Sequence, residues 1–303
     1  MLRKLSVPSA AMRAIAFALL CTGTGAARAD EPAAASAASL HARYVALQAQ
    51  LGDNQFHRPL HLASSEGEGK VAGDIHALIN FPFDPAAAAL GAAGDWCDIL
   101  LLHINTKACR VAGAGQATVV SLWIGRNHQQ PLAEASRVDF AFRVGASSTE
   151  YLRIGLNADS GPMGTRDYRI TLEAVPVENG RTFLHLGYSY GYDGLGRLAM
   201  QTYLATAGRN RVGFTVTGAQ PDGSSRHIGG VRGLVERNAM RYYAAIEAFL
   251  GARSGSPQAR FDKRIRDWYA ATALYPRQLH EIEQGEYLEM KRMENQRQQD
   301  SPG

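Results

Sequence analysis

Four stretches in the middle of the chain alternate apolar and polar residues with a period of two. Val138, Phe140, Phe142 and Val144 alternate with Asp139, Ala141 and Arg143. Leu152, Ile154 and Leu156 alternate with Arg153, Gly155 and Asn157. Tyr168, Ile170 and Leu172 alternate with Arg169, Thr171 and Glu173, and Leu184, Leu186, Tyr188 and Tyr190 with His185, Gly187 and Ser189. A period of two predicts strands with one covered and one wet face, which is the pattern of an antiparallel sheet. The connections are too short for the crossover helices that parallel neighbours need. A β-rich run at residues 119–124 joins this set, and residues 59–65 and 71–79 predict a hairpin turning at Gly67-Glu68-Gly69.

Helical spacing flanks the strands. Leu40, Tyr44, Leu47 and Leu51 predict a short amphipathic helix. Asp84-Pro85 reads as an N-cap followed by the first helical residue, leading into residues 86–90. Trp96, Ile99, Leu100 and His103 continue as a second helical segment. Residues 195–207 read as a helix and 212–217 as one more strand. Gly229-Gly230 opens the best helix of the chain, with Val231, Leu234, Val235, Asn238, Tyr242, Ala245, Ile246 and Phe249 on one stripe and Gly251 at its end. After a linker at residues 254–257, residues 261–275 and 277–298 predict further helices. The last is polar enough to read as a surface helix fraying into the tail.

The N-terminus changes how the composition reads. Arg3, Lys4 and Arg13 precede or interrupt a short apolar run at residues 14–20, and Ala27-Arg28-Ala29 fits a small-x-small cleavage site. This predicts a secretory signal peptide over residues 1–29, with Asp30 first in a periplasmic or secreted mature chain. Leu20 before Cys21 argues against a lipoprotein anchor, which needs a small residue there. The full chain carries 32 basic and 28 acidic side chains. The signal holds four of the bases and no acid, so the mature chain is neutral apart from histidine. A nucleic-acid partner is therefore not expected. Cys97 and Cys109 remain as an even pair in an exported chain. They predict one disulfide of about 3 kcal/mol, two buried thiols being the alternative.

The order of elements resembles the START-like superfamily, also called SRPBCC or helix-grip. The resemblance is carried by residues 71–83 running into Asp84-Pro85-Ala86-Ala87-Ala88-Ala89-Leu90, by Trp96 and the strand series, and by the segment from Gly229 to Tyr243. It covers about residues 56–251, between a linker and N-terminal helix at 30–55 and a helical extension at 253–303. Residues 195–207 and the helices after Phe261 are extra to the family pattern, and export with a disulfide is not its usual case. The resemblance implies an α+β fold, a curved antiparallel sheet gripping a long C-terminal helix, with extra C-terminal helices outside. It also implies a space between sheet and helix for a hydrophobic small molecule, and it does not imply an enzyme.

Tyr168, Tyr188 and Tyr190 fall on the apolar face of their strands with Tyr192, and Tyr242 falls on the helix stripe; rings with one polar tip suit an amphipathic ligand. The alternative for each is a core tyrosine satisfied by backbone. Asn238 interrupts an apolar stripe and needs a partner, either a ligand head group or a strand carbonyl. His103, Asn105 and Lys107 alternate next to Cys109, where a strand would present all three on one face, either to an anionic group or simply to water. Gly187-Tyr188-Ser189-Tyr190-Gly191 matches the nucleophile elbow of α/β-hydrolases, with Asp193 or Asp222 and His227 or His280 as candidate partners. Uninterrupted alternation through the motif predicts a strand serine instead. The nine histidines show no metal-ligand spacing, so neither metal nor cofactor is expected. Three function classes follow: an exported binding or transfer protein for a lipid-like or other hydrophobic small molecule, with room for a transient membrane contact; a Ser189 esterase; and an envelope interaction protein without a ligand.

Overall fold

The structure is a computed structural model that describes residues 36–194, 196, 202 and 211–300. The expected signal peptide and the expected helix at residues 195–207 lie outside the described residues.

Ten strands and eight α-helices are assigned among the described residues. Helices α1 (Ala37–Ala46) and α2 (Gln48–Gly52) lead into the hairpin β1 (Leu60–Gly67) and β2 (Lys70–Ile79). Glu68 and Gly69 both take positive φ, the two-residue turn whose twist matches its strands. Two short helices follow, α3 (Phe83–Leu90) and α4 (Ala93–Leu100). A meander comes next: β3 (Thr106–Ala112), β4 (Val119–Ile124), β5 (Ser136–Ser147), β6 (Leu152–Ser160), β7 (Thr165–Val177) and β8 (Arg181–Tyr192). A small hairpin, β9 (Val216–Ala219) and β10 (Ser225–His227), precedes the long helix α5 (Gly230–Leu250). Three helices close the chain: α6 (Pro257–Ala273), α7 (Pro276–Leu279) and α8 (Gln284–Asp300).

Eight strands form one sheet in the order β1-β2-β8-β7-β6-β5-β4-β3, antiparallel at every pairing. Bulges interrupt the register of β3–β4, β5–β6 and β7–β8, and such insertions bend strands. Every alternating run read from the sequence is a strand. Its apolar set faces α5: Ile154, Leu156, Ile170, Leu172, Leu184 and Leu186 are all buried. Gly73 marks a close approach of helix and sheet, since a Cβ there would lie 3.4 Å from the Val235 carbonyl. This is the curved antiparallel sheet gripping a long helix that the resemblance implies.

Four expectations need correction. Helix α3 starts two residues early, at Phe83 after Pro82, so Asp84 sits in its first turn and caps nothing. The strand expected at residues 212–217 begins at Val216 and pairs only with β10, apart from the main sheet. Helix α5 is not a one-stripe amphipathic helix. Glu236, Arg237 and Arg241 are buried along with its apolar stripe, because other elements also cover the face turned away from the sheet. Phe261, Ile265, Trp268, Leu279, Tyr287 and Met290 from the C-terminal helices join the same core as the sheet.

The last correction concerns α8, which is no frayed surface helix. It lies against β3, an edge strand whose free backbone groups need partners. The Cys109 N–H donates to Gln298 Oε1 at 2.9 Å, and Lys291 Nζ donates to the Thr106 carbonyl at 2.9 Å. The polar side chains of α8 thus do work that an apolar stripe could not.

Candidate functional site

Six of the seven residues nominated as ligand-binding converge between the sheet and α5. Tyr188 and Tyr190 come from β8, Tyr168 from β7, Asn238 and Tyr242 from α5, and His103 from the turn between α4 and β3. Tyr168 stacks on Tyr190 with centroids 5.3 Å apart, and Tyr188 lies 5.7 Å from Tyr190. Tyr188 meets Tyr242 edge-on at 5.3 Å, and the His103 imidazole lies 4.8 Å from the Tyr242 ring. Phe140 closes the far end, edge-on to Tyr168. Rings in edge-to-face and offset contact form a continuous aromatic wall. Tyr168, Tyr188 and Tyr242 sit mid-fold yet keep 8%, 6% and 9% of their surface accessible.

The polar tips of this wall have distinct environments. Burial raises all four phenols, Tyr188 well above its ordinary range, so each remains a neutral O–H. Tyr168 shares a 2.7 Å hydrogen bond with Thr165. Tyr242 closes no hydrogen bond with a described residue. Asn238 is half-buried, neighbours both His103 and Tyr188, and accepts a long 3.5 Å contact from Arg241.

His103 is the unusual member. It is buried, and its Nδ1 accepts the Asn105 N–H at 3.2 Å. Burial, followed by the charges of Arg241 and Lys291, holds its pKa well below the usual range. The ring is therefore neutral, and with Nδ1 as acceptor the proton resides on Nε2. That Nε2 is buried and has no partner within hydrogen-bond distance; the Asn238 side chain lies near enough to act on the ring but closes no bond to it. A buried donor left unmade costs about 1–3 kcal/mol, so the site holds an unmet demand for an acceptor.

Lys107, the seventh nominee, is elsewhere and on no wet face. The strand begins at Thr106, so His103 and Asn105 lie in the preceding turn. Lys107 is fully buried and pairs with Glu294 of α8 at 2.9 Å, and Lys291 reaches the other oxygen of Glu294 at 2.8 Å. Two ammoniums thus share one carboxylate. Burial lowers both lysines, Lys291 to about 8, against the opposing pull of Glu294. Sequence reading missed this cluster. Tyr287, Met290, Lys291, Glu294 and Gln298 do recur at helical spacing, but the stripe is polar and hides from a hydrophobic pattern.

Cys97 and Cys109 form the expected disulfide, with Cα atoms 5.2 Å apart. It ties α4 to β3 and closes a covalent ring around the turn that carries His103.

The elbow reading finds no geometry. Ser189 lies mid-strand in β8, paired with Ala72 on one side and Arg169 on the other. Asp193 accepts the Gly196 N–H, and Asp222 accepts Ser224 within the β9–β10 hairpin. His227 contacts the Phe214 carbonyl, and His280 faces Glu283. No two of these form a relay among the described residues.

A second polar cluster, also missed, lies on the outer face of the sheet. His61, His76, His185 and Glu173 occupy one cross-strand row through β1, β2, β8 and β7. His185 is bonded at 2.9 Å to both Glu173 and Asp74, and Tyr151 donates to the other Glu173 oxygen. Among the described residues no group of His, Cys, Asp and Glu is placed to hold a metal.

No family model matches the chain, and no curated protein matches it. Solved structures similar to it include norcoclaurine synthase from Thalictrum flavum, at 14% identity over 47% of this chain and 83% of that one, with a TM-score of 0.32. The Zhui aromatase/cyclase from Streptomyces sp. R1128 matches at 13% identity over 49% and 86%, with a TM-score of 0.33. Ara h 8.0201 matches at 11% identity over 64% and 99%, with a TM-score of 0.35. Scores of this size carry no argument, and the fold stands on its own strand order and register.

Proposed function

We propose that this chain is an exported, START-like binding or transfer protein for a hydrophobic or amphipathic small molecule, held between the sheet and α5. The observation that carries this reading is the His103 Nε2–H, a buried donor without a partner beside a wall of aromatic rings. Proteins seldom keep such a group in a core unless something else completes it. The apolar wall would supply the binding energy, about 0.8 kcal/mol for each CH₂ buried, and the polar tips would set orientation. Lys107 has no part in this site, because its charge is spent on Glu294. Export with cleavage after Ala29 belongs to the same proposal and is supported by the disulfide, which persists in oxidising compartments. The Ser189 esterase reading loses its support with the strand geometry. Titration of the purified protein with fluorescent 2-acetylnaphthalene tests the proposal. Saturable binding that weakens in Tyr242→Leu and Tyr190→Ala is expected, and no binding, or binding indifferent to both changes, would overturn it.

A further inference from the structure

The carbonyl of His103 accepts two hydrogen bonds, one from the Thr106 N–H at 3.0 Å and one from Lys291 Nζ at 2.7 Å. Lys291 is fully buried, and its three N–H bonds are all used, on the His103 carbonyl, the Thr106 carbonyl and Glu294. One turn earlier on α8, the Tyr287 hydroxyl donates to the Leu102 carbonyl at 2.8 Å. Two turns later, Gln298 accepts the Cys109 N–H. Helix α8 thus grips the segment 102–109 at four backbone positions. The His103 ring is in turn fixed to that segment through its own Nδ1, which takes the Asn105 N–H. The direction of Nε2 follows from the placement of the turn, and the placement of the turn follows from α8.

Burying an ammonium is expensive, and an apolar side chain of similar volume would fill position 291 at lower cost. The charge has a purpose if the turn must be held to within a fraction of an ångström, as a polar recognition group requires. We infer that Lys291 is the positioning residue for His103, so that the C-terminal helix sets how strongly the site prefers ligands bearing a hydrogen-bond acceptor. This rests on the binding reading proposed above. Lys291 touches no ligand in this account and acts through the turn. The groups facing it are Glu294 from its own helix, with Lys107 and His103 from the segment it grips.

The test compares two probes of nearly one shape, 2-acetylnaphthalene and 2-isopropylnaphthalene, which differ in the carbonyl acceptor. In the wild-type protein the ketone should bind about tenfold more tightly than the hydrocarbon, the value of one good hydrogen bond to a buried donor. Lys291→Met should lower that ratio to about two while hydrocarbon binding stays within about twofold. A merely structural lysine would weaken both probes together. Lys291→Gln, shorter and uncharged, carries the same expectation should the methionine variant fail to fold. An unchanged tenfold ratio in a folded variant overturns the inference. A ratio near one in the wild type, with both probes bound, overturns the role of His103, whereas no binding of either probe overturns the binding reading itself.

Discussion

The imidazoles of His76 and His185 stack 4.4 Å apart and within 8° of parallel, on adjacent strands of the outer sheet face. They share a site in opposite charge states. Burial works against charge on His185, but the bonds and charges of Asp74 and Glu173 outweigh it and raise its pKa to about 9. Burial, and then the charge of His185, presses His76 down to about 3.

The two shifts act on stability with opposite signs. The His185 contribution is fully present below its unfolded value near 6.5 and is lost as the pH rises through about 9. His76 must stay neutral in the fold, so stability falls as the pH drops below 6.5 toward 3. His185→Gln should therefore lower the melting temperature at pH 6 and have little effect near pH 10. His76→Phe should flatten the acid side of the profile. Thermal melts from pH 4 to 10 check both, and parallel profiles for all three proteins would contradict the assignment.

Glu294→Ala should be the most damaging single change in α8. It leaves Lys107 and Lys291 buried without a counter-charge, which costs about 3–5 kcal/mol. Tyr287→Phe should cost less, about 1–3 kcal/mol, by stranding the Leu102 carbonyl. Urea unfolding midpoints give both values. A Glu294→Ala protein as stable as the wild type would return α8 to the surface role its composition suggests.

Legibility in the sequence followed the hydrophobic signal. Runs such as Leu152–Ile154–Leu156 have one buried and one wet face, so a period of two reported the sheet directly; the same alternation found Tyr168, Tyr188 and Tyr190 of the aromatic wall, and helical spacing found Tyr242. Helix α8 was misread because its buried face is Tyr287, Lys291 and Glu294, chosen for backbone carbonyls and charge rather than for apolar burial. The outer-face cluster was invisible for a related reason. His185 and Glu173 occupy polar positions of their strands, and only the register of β7 with β8 makes them partners. Burial of Arg237 and Arg241 likewise depends on other elements packing over α5, which no local pattern records.

Ser189→Ala should change nothing that matters. The side chain sits on an uninterrupted strand, so stability should stay within about 0.5 kcal/mol. Binding of 2-acetylnaphthalene should be unchanged. Loss of an esterase activity on substitution would contradict the strand reading.

Export and the disulfide are checked together by intact mass of protein recovered from the periplasm. The expected species begins at Asp30 and carries no free thiol among Cys97 and Cys109. Replacing both cysteines with alanine should cost about 3 kcal/mol in the chain-entropy account. It should also loosen the turn holding His103, because the disulfide closes the ring around it. A mature chain beginning elsewhere, or two alkylated thiols, would contradict the corresponding half.

The central claim is that His103 Nε2 awaits an acceptor carried by a ligand. The most direct measurement is the binding ratio of 2-acetylnaphthalene to 2-isopropylnaphthalene in the wild type and in His103→Phe. The account predicts that the ratio falls from about ten to about one, with the hydrocarbon bound equally well by both proteins. A ratio that survives the loss of the imidazole would show that the buried donor plays no part in binding.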